Sequence, residues 1–210
     1  MDMKFETGLV WFRRDLRVHD NAALSTALQS CQHVHCVFVF DRDILDSLPR
    51  CDRRVEFIRE SLVELDVDLR SLAGKSGAGL IVRHGFAVDE IPALANTLGA
   101  QAVFAAKDYE PHAAIRDAEV KSRLAQSQTA LLTVKDHVIF ECREVLTQTG
   151  KPYGVFTPYL RAWLLRLGDT PPIQHLCEPV TGVLAERPVP FAGPVPSLES
   201  MVFEPTNLRT

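Results

Sequence analysis

The residues of this sequence best equipped for chemistry fall in three short clusters: Arg13, Arg14, Asp15 and Arg17 in RRDLR, Asp41 alone, and Lys107, Asp108, Tyr109 and Glu110 in KDYE. Arginine offers a rigid fork of donors to carbonyl oxygens, and a carboxylate accepts from N–H and amino groups. Such residues can hold and orient a polar ligand. They contain no nucleophile with a neighbouring base. Ser61 and Ser71 lie in a helical pattern and no GxSxG occurs, so hydrolase chemistry has no support. His33 and His35 alternate on one strand face without a third metal ligand, which makes a structural role the simpler reading. Taken alone, RRDLR reads first as a charged loop whose arginines and aspartate pair with one another. Likewise, Glu110 and Arg116 could be a helix-end ion pair.

The elements that must position these clusters alternate in character over the first 140 residues. Short apolar runs predict strands at Gly8–Phe12, Val34–Phe40, Gly79–Arg83, Ala102–Ala106 and Leu131–Val134, the last resuming through Val138–Phe140. Their continuous apolarity fits strands covered on both faces. Val55, Ile58, Leu62, Leu65, Leu69 and Leu72 recur at helical spacing and predict a helix over Arg53–Leu72. Asp20 or Asn21 can cap a helix through Ala22–Leu28, Asp89 or a near neighbour opens another, and a third follows Pro111. With right-handed crossovers these elements give an α/β fold, a doubly wound five-stranded parallel sheet of Rossmann-like type. In such a sheet ligands bind beyond the carboxyl ends of the strands, where all three clusters fall. RRDLRVHDN has no glycine to let a phosphate approach the backbone, and GKSGAG at 74–79 precedes a strand instead of following one, so it reads as a turn.

Ten of the thirteen prolines lie after residue 140. Residues 141–210 therefore read as a proline-rich linker with one helix in TPYLRAWLLRLG, capped by Thr157, with Pro158 at its first position and Gly168 after its last turn. The stretch from Asp169 lacks periodicity and is expected to wrap over the domain. A charge of −4 argues against this segment gripping DNA by itself. Five scattered cysteines, Cys31, Cys36, Cys51, Cys142 and Cys177, with no CxxC, are expected as reduced, mostly buried thiols. No apolar stretch suits a bilayer and MDMKFETG lacks a signal pattern, so a cytoplasmic location without membrane partners is expected.

VWFRRDLRVHDNAAL, at 10–24, resembles the opening signature of the DNA photolyase and cryptochrome family. VFVFDRDIL at 37–45, FIRESLVELDVDL at 57–69, DYEPHAAIRD at 108–117 and GKPYGVFTPYLRAW at 150–163 follow in the family's order, and PSLESMVFEPTNL is similar to the handover into its flavin domain. The resemblance implies that residues 1–140 form the α/β antenna domain, which carries a light-harvesting chromophore, a deazaflavin or a reduced folate. It implies an interdomain linker at 141–210 and a helical FAD-binding domain that is absent from this chain and expected after Thr210. The implied function is the antenna portion of a deoxyribodipyrimidine photolyase, a carbon–carbon lyase that repairs pyrimidine dimers in DNA by light. The antenna portion of a cryptochrome-type photoreceptor, or a free-standing ligand- or partner-binding module of this fold, are the alternatives. In either flavoprotein, FAD and pyrimidine-dimer DNA would be held by the missing domain.

Positions matching Arg14 and Asp41 lie at the antenna pocket in deazaflavin-type members, and Asp108, Tyr109 and Glu110 are further cofactor-binding candidates. Folate-type members carry an Asn-Glu pair shortly after the tyrosine-glutamate step, where this chain has His112 and Ala113. That departure counts against a folate and leaves a deazaflavin, a flavin or an empty pocket open.

Overall fold

The computed structural model describes residues 3–177 and 182–206. Five strands, β1 (Phe5–Phe12), β2 (Cys31–Asp41), β3 (Leu80–Gly85), β4 (Ala102–Ala106) and β5 (Ala130–Val134), form one parallel sheet in the order β3-β2-β1-β4-β5. The chain runs outward from β1 through β2 to β3, then returns to the other side of β1 for β4 and β5. The reversal places the topological switch point between β1 and β4. No strand resumes at 138–140.

Side chains alternate between two cores, as strand geometry requires. Val10, Phe12, Cys36, Phe38, Leu80 and Phe104 face one layer with α1 (Ala22–Ser30) and α3 (Arg53–Ala73). Leu9, Trp11, Val37, Val39, Ile81 and Val103 face the other with α4 (Ala87–Thr97) and α5 (Pro111–Gln126). Gly8 is required by close approach: a Cβ there would lie 2.5 Å from Cys31 Sγ.

The caps explain the helix boundaries. Asn21 accepts the Leu24 N–H at 2.8 Å to start α1, and Asp52 accepts that of Arg54 to start α3, which ends on the left-handed Gly74. GKSGAG is thus the turn after α3. The one-turn α2 (Arg42–Leu45) is capped by Asp41, and α4 starts directly after Phe86, ahead of the expected Asp89, which sits in its first turn.

In the C-terminal third, α6 (Phe156–Asp169) starts after Val155, before the expected Thr157 cap, and runs through Gly168. None of its residues is buried. Beyond it, the chain does more than wrap the surface. Val183, Leu184, Leu198, Met201 and Phe203 enter the α1/α3 core, and Leu184 forms a parallel bridge to Val34. Arg187, only 4% exposed in its side chain, donates to the carbonyls of Leu80 and Gly193 and faces Asp66 at 3.6 Å. Asp66 in turn accepts the Leu80 N–H and pairs with Arg70.

Among the described residues no helix is long and apolar enough to cross a membrane, and no three His, Cys, Asp or Glu side chains cluster as metal ligands. All five cysteines are free. Cys31 and Cys36 are buried, but Cys51 and Cys142 are exposed and Cys177 is half-buried, so burial is less general than composition suggested.

Candidate functional site

The RRDLR loop leaves the carboxyl end of β1, and its charges are answered by other elements instead of by one another. Arg13, with a side chain 7% exposed, makes two bonds to Asp117 of α5, 2.7 and 2.6 Å long, and donates to the Ala106 carbonyl at the end of β4. It spans the gap between β1 and β4. Its guanidinium thus bridges the two strand ends beside the switch point. Trp11 lies beneath it with Arg13 and Arg116 at 4.8 and 5.0 Å from its ring, an arrangement in which the indole packs and screens two cations. Arg17 pairs with Asp136, whose carboxylate also accepts the Ala22 N–H at the start of α1. Asp15 is buried and accepts the Arg13 N–H and the Asn21 amide. Burial raises its pKa above the usual value, against the lowering effect of those donors.

Arg14 is different. Its side chain is 57% exposed and turns outward to Asp108 at 3.3 Å and Glu110 at 3.2 Å. These residues, with Tyr109, form one side of a cavity of about 390 Å³. Its other side comes from the chain after β5: His137, Phe140, Glu141, Cys142 and, on α6, Tyr159. Tyr109 stacks edge-on to His137 at 5.4 Å, and Phe140 is braced in the same way by Trp163 at 5.5 Å. Two ion pairs hold the far wall to the sheet, Lys107 with Glu141 and Lys135 with Glu144.

The electrostatics of this cavity are specific. Asp108 feels burial, which alone would raise its pKa, but the Glu110 N–H and the guanidinium groups of Arg14, Arg13 and Arg116 hold it below the ordinary carboxylate value. The Tyr109 hydroxyl is buried without a hydrogen-bond partner of good geometry, with the Glu141 carboxylate near it. Burial first, then that negative charge, pushes the phenol up to about 12.

Of the five candidates from sequence, the structure brings Arg14, Asp108, Tyr109 and Glu110 together on one cavity and leaves Asp41 outside its lining. Asp41 accepts the N–H groups of Asp43 and Ala87, and Arg116 lies 3.9 Å from its other oxygen. Its carboxylate thus serves the starts of α2 and α4. Glu110 pairs with Arg14, and Arg116 with Asp117, so no Glu110–Arg116 pair forms. His137, Phe140, Glu141 and Tyr159 are lining residues that sequence reasoning missed. The available signal was Lys107, a cation at a strand end in need of a partner.

What the cavity can do is hold a flat, polar heterocycle: aromatic side chains flank it, a guanidinium offers donors, and three carboxylates accept. Its volume lies within the range of small-molecule sites. The first turn of α5 carries no acidic side chain. His112 and Ala113 stand there, while Asp117 and Glu119 are taken by Arg13 and Arg123.

Relatives share this architecture. A deoxyribodipyrimidine photo-lyase of Halobacterium salinarum is 33% identical over 204 residues, covering 93% of this chain. A bacterial class III photolyase of Agrobacterium tumefaciens superposes with a TM-score of 0.74 at 24% identity over 99% of the chain. An archaeal photolyase of Sulfolobus tokodaii, solved with two FAD molecules, superposes with a TM-score of 0.66 at 24% identity over 89%. The chain spans 40% of the length of each. The family model for DNA photolyase matches residues 8–179, from the second half of β1 past the end of α6, and so takes in both walls of the cavity. Strand order, the RRDLR loop and the shared span lead to one assignment: this chain belongs to the DNA photolyase family.

Proposed function

We propose that this chain is the antenna portion of a deoxyribodipyrimidine photolyase, acting in light-dependent repair of pyrimidine dimers, and that the cavity beside Arg14 holds its light-harvesting chromophore. The observation that carries this reading is the pairing of an exposed, forked donor with an aromatic-walled cavity at the carboxyl edge of β1 and β4. A bound antenna chromophore would supply absorption of near-ultraviolet or blue light. The protein's part is to hold it rigidly. Arg14 would donate to ring carbonyls, Asp108, Glu110 and Glu141 would accept from ring N–H or amino groups, and Tyr109, Phe140 and Tyr159 would supply apolar contact. A deazaflavin or flavin ring suits these residues better than a reduced folate, because α5 has no free carboxylate near His112 and Ala113. The FAD that performs repair and the DNA itself belong, in this reading, to the part of the relatives that this chain does not span.

Titration with a deazaflavin and with a reduced folate tests the proposal. The deazaflavin should bind more tightly, and Arg14→Ala should weaken it by roughly 1–3 kcal/mol, the usual worth of hydrogen bonds from a charged group. Glu119→Ala, whose carboxylate is engaged on the exposed face of α5 by Arg123, should leave binding unchanged. Equal effects from the two substitutions, or tighter folate binding, would refute the placement.

A further inference from the structure

The lining of the cavity presents its charges unevenly. Among the described residues that line it, Arg14 is the one arginine or lysine, whereas Asp108, Glu110 and Glu141 are carboxylates. The balancing cations stand behind the wall. Lys107 takes Glu141, and Arg13 and Arg116 act on Asp108 from the sheet side, where Asp117 and Asp41 already engage them. Arg14 itself is shared between Asp108 and Glu110. A group entering the cavity thus faces three carboxylates and one half-exposed guanidinium that two of them share. Coulomb energy falls with distance, so the excess of facing carboxylates acts most strongly on an entering charge, and Lys107, Arg13 and Arg116 offset part of it. The remaining wall is aromatic, and the buried Tyr109 hydroxyl, near the Glu141 carboxylate but without a hydrogen bond of good geometry, adds a polar group to it.

We infer that this cavity selects an uncharged, phosphate-free heterocycle that presents N–H or amino donors, and discriminates against phosphorylated or multiply carboxylated forms of the same ring. The inference rests on the reading of the cavity as a chromophore site. It gives Glu110 and Glu141 the role of specificity determinants. The carboxylates satisfy a neutral ring's donors, but a phosphate, carrying roughly −1.5 to −2 charges, meets like charge at contact distance.

Riboflavin and flavin mononucleotide, which differ by one phosphate, test it on the full chain by quenching of flavin fluorescence. Riboflavin should bind about tenfold more tightly at low ionic strength. The gap should close to about threefold or less near 0.5 M salt, because screening acts on the charge term alone. In the double substitution Glu110→Gln and Glu141→Gln, which keeps oxygen acceptors in place, the ratio of the two affinities should fall by about tenfold, while circular dichroism checks that the fold persists. Equal binding of the two ligands at low salt, or a ratio indifferent to both salt and the double substitution, overturns the inference and leaves the chromophore reading standing. Failure of both flavins to bind overturns the inference and the chromophore reading together.

Discussion

Replacing Asp41 by alanine separates the two things its carboxylate could be doing. In the structure one oxygen accepts the N–H of Asp43 at 3.3 Å and that of Ala87 at 3.2 Å, and Arg116 stands 3.9 Å from the other. Loss of a helix N-cap costs about 0.5–2 kcal/mol, and two long bonds of this kind together place the loss near the middle of that range. Arg116 loses a buried counter-charge but keeps Asp117 at 3.1 Å, which limits the further cost to about 1 kcal/mol. The sum, roughly 2–3 kcal/mol, corresponds to a drop of about 4–12 °C in Tm for a chain of this size. Thermal melting followed by circular dichroism reads it directly, with Asp41→Asn as the companion, since asparagine caps nearly as well as aspartate and should recover most of the loss. Arg14→Ala, which removes a half-exposed side chain, should shift Tm little. The reasoning fails if Asp41→Ala melts with the parent protein. It also fails if that substitution abolishes chromophore binding while leaving Tm unchanged, for Asp41 would then be a ligand residue, as the family resemblance implies.

Other outcomes follow from the same geometry. Leu184→Ala should destabilise the domain by about 2–4 kcal/mol in urea unfolding, because Leu184 is buried in the sheet core; an effect of a few tenths would mean that the segment is only laid on the surface. Amide exchange should protect Ala185 and Val34, which are bonded through Ala185 N–H to Val34 O and Val34 N–H to Val183 O, as strongly as central β2, while α6 exchanges fast and takes the first proteolytic cut. Ultraviolet titration should show one tyrosine ionising near pH 12, a step removed by Tyr109→Phe. The sign follows from the shift: a phenol raised in the folded state stays neutral while the unfolded one ionises, so its contribution to stability is intact below pH 10 and is lost as pH rises toward 12. Asp108 acts at the other end. Its depressed pKa contributes stability above the ordinary value of 3.8, lost as pH falls through its folded pKa, and Asp108→Asn should flatten that acid limb.

The sheet was legible because five apolar runs separated by amphipathic spacing leave little choice of architecture, and each strand appears where its run predicts it. The loop chemistry was legible only in part. Residue types at strand ends show which side chains reach the carboxyl edge, but not where each one turns. Nothing local distinguishes Arg13, consumed by Asp117 104 residues away, from Arg14, which faces a cavity. Asp41 raises the same difficulty, since Ala87 lies 46 positions further on. The far wall was illegible for another reason. His137, Phe140 and Glu141 sit in a stretch with no periodicity, held by ion pairs instead of by an apolar stripe. The entry of Val183 and Leu184 into the core was hidden because a two-residue apolar pair among prolines has no repeat to read.

The central claim is that the cavity beside Arg14 retains a light-absorbing ring. Incubating the full chain with a deazaflavin, desalting it and recording its absorption spectrum beside Arg14→Ala and Glu119→Ala tests that claim most directly. A near-ultraviolet or blue band that survives desalting in the parent and in Glu119→Ala, and is lost or much reduced in Arg14→Ala, is the predicted result. A parent chain that emerges with no band above its aromatic absorption, or a band equally retained by Arg14→Ala, would contradict it.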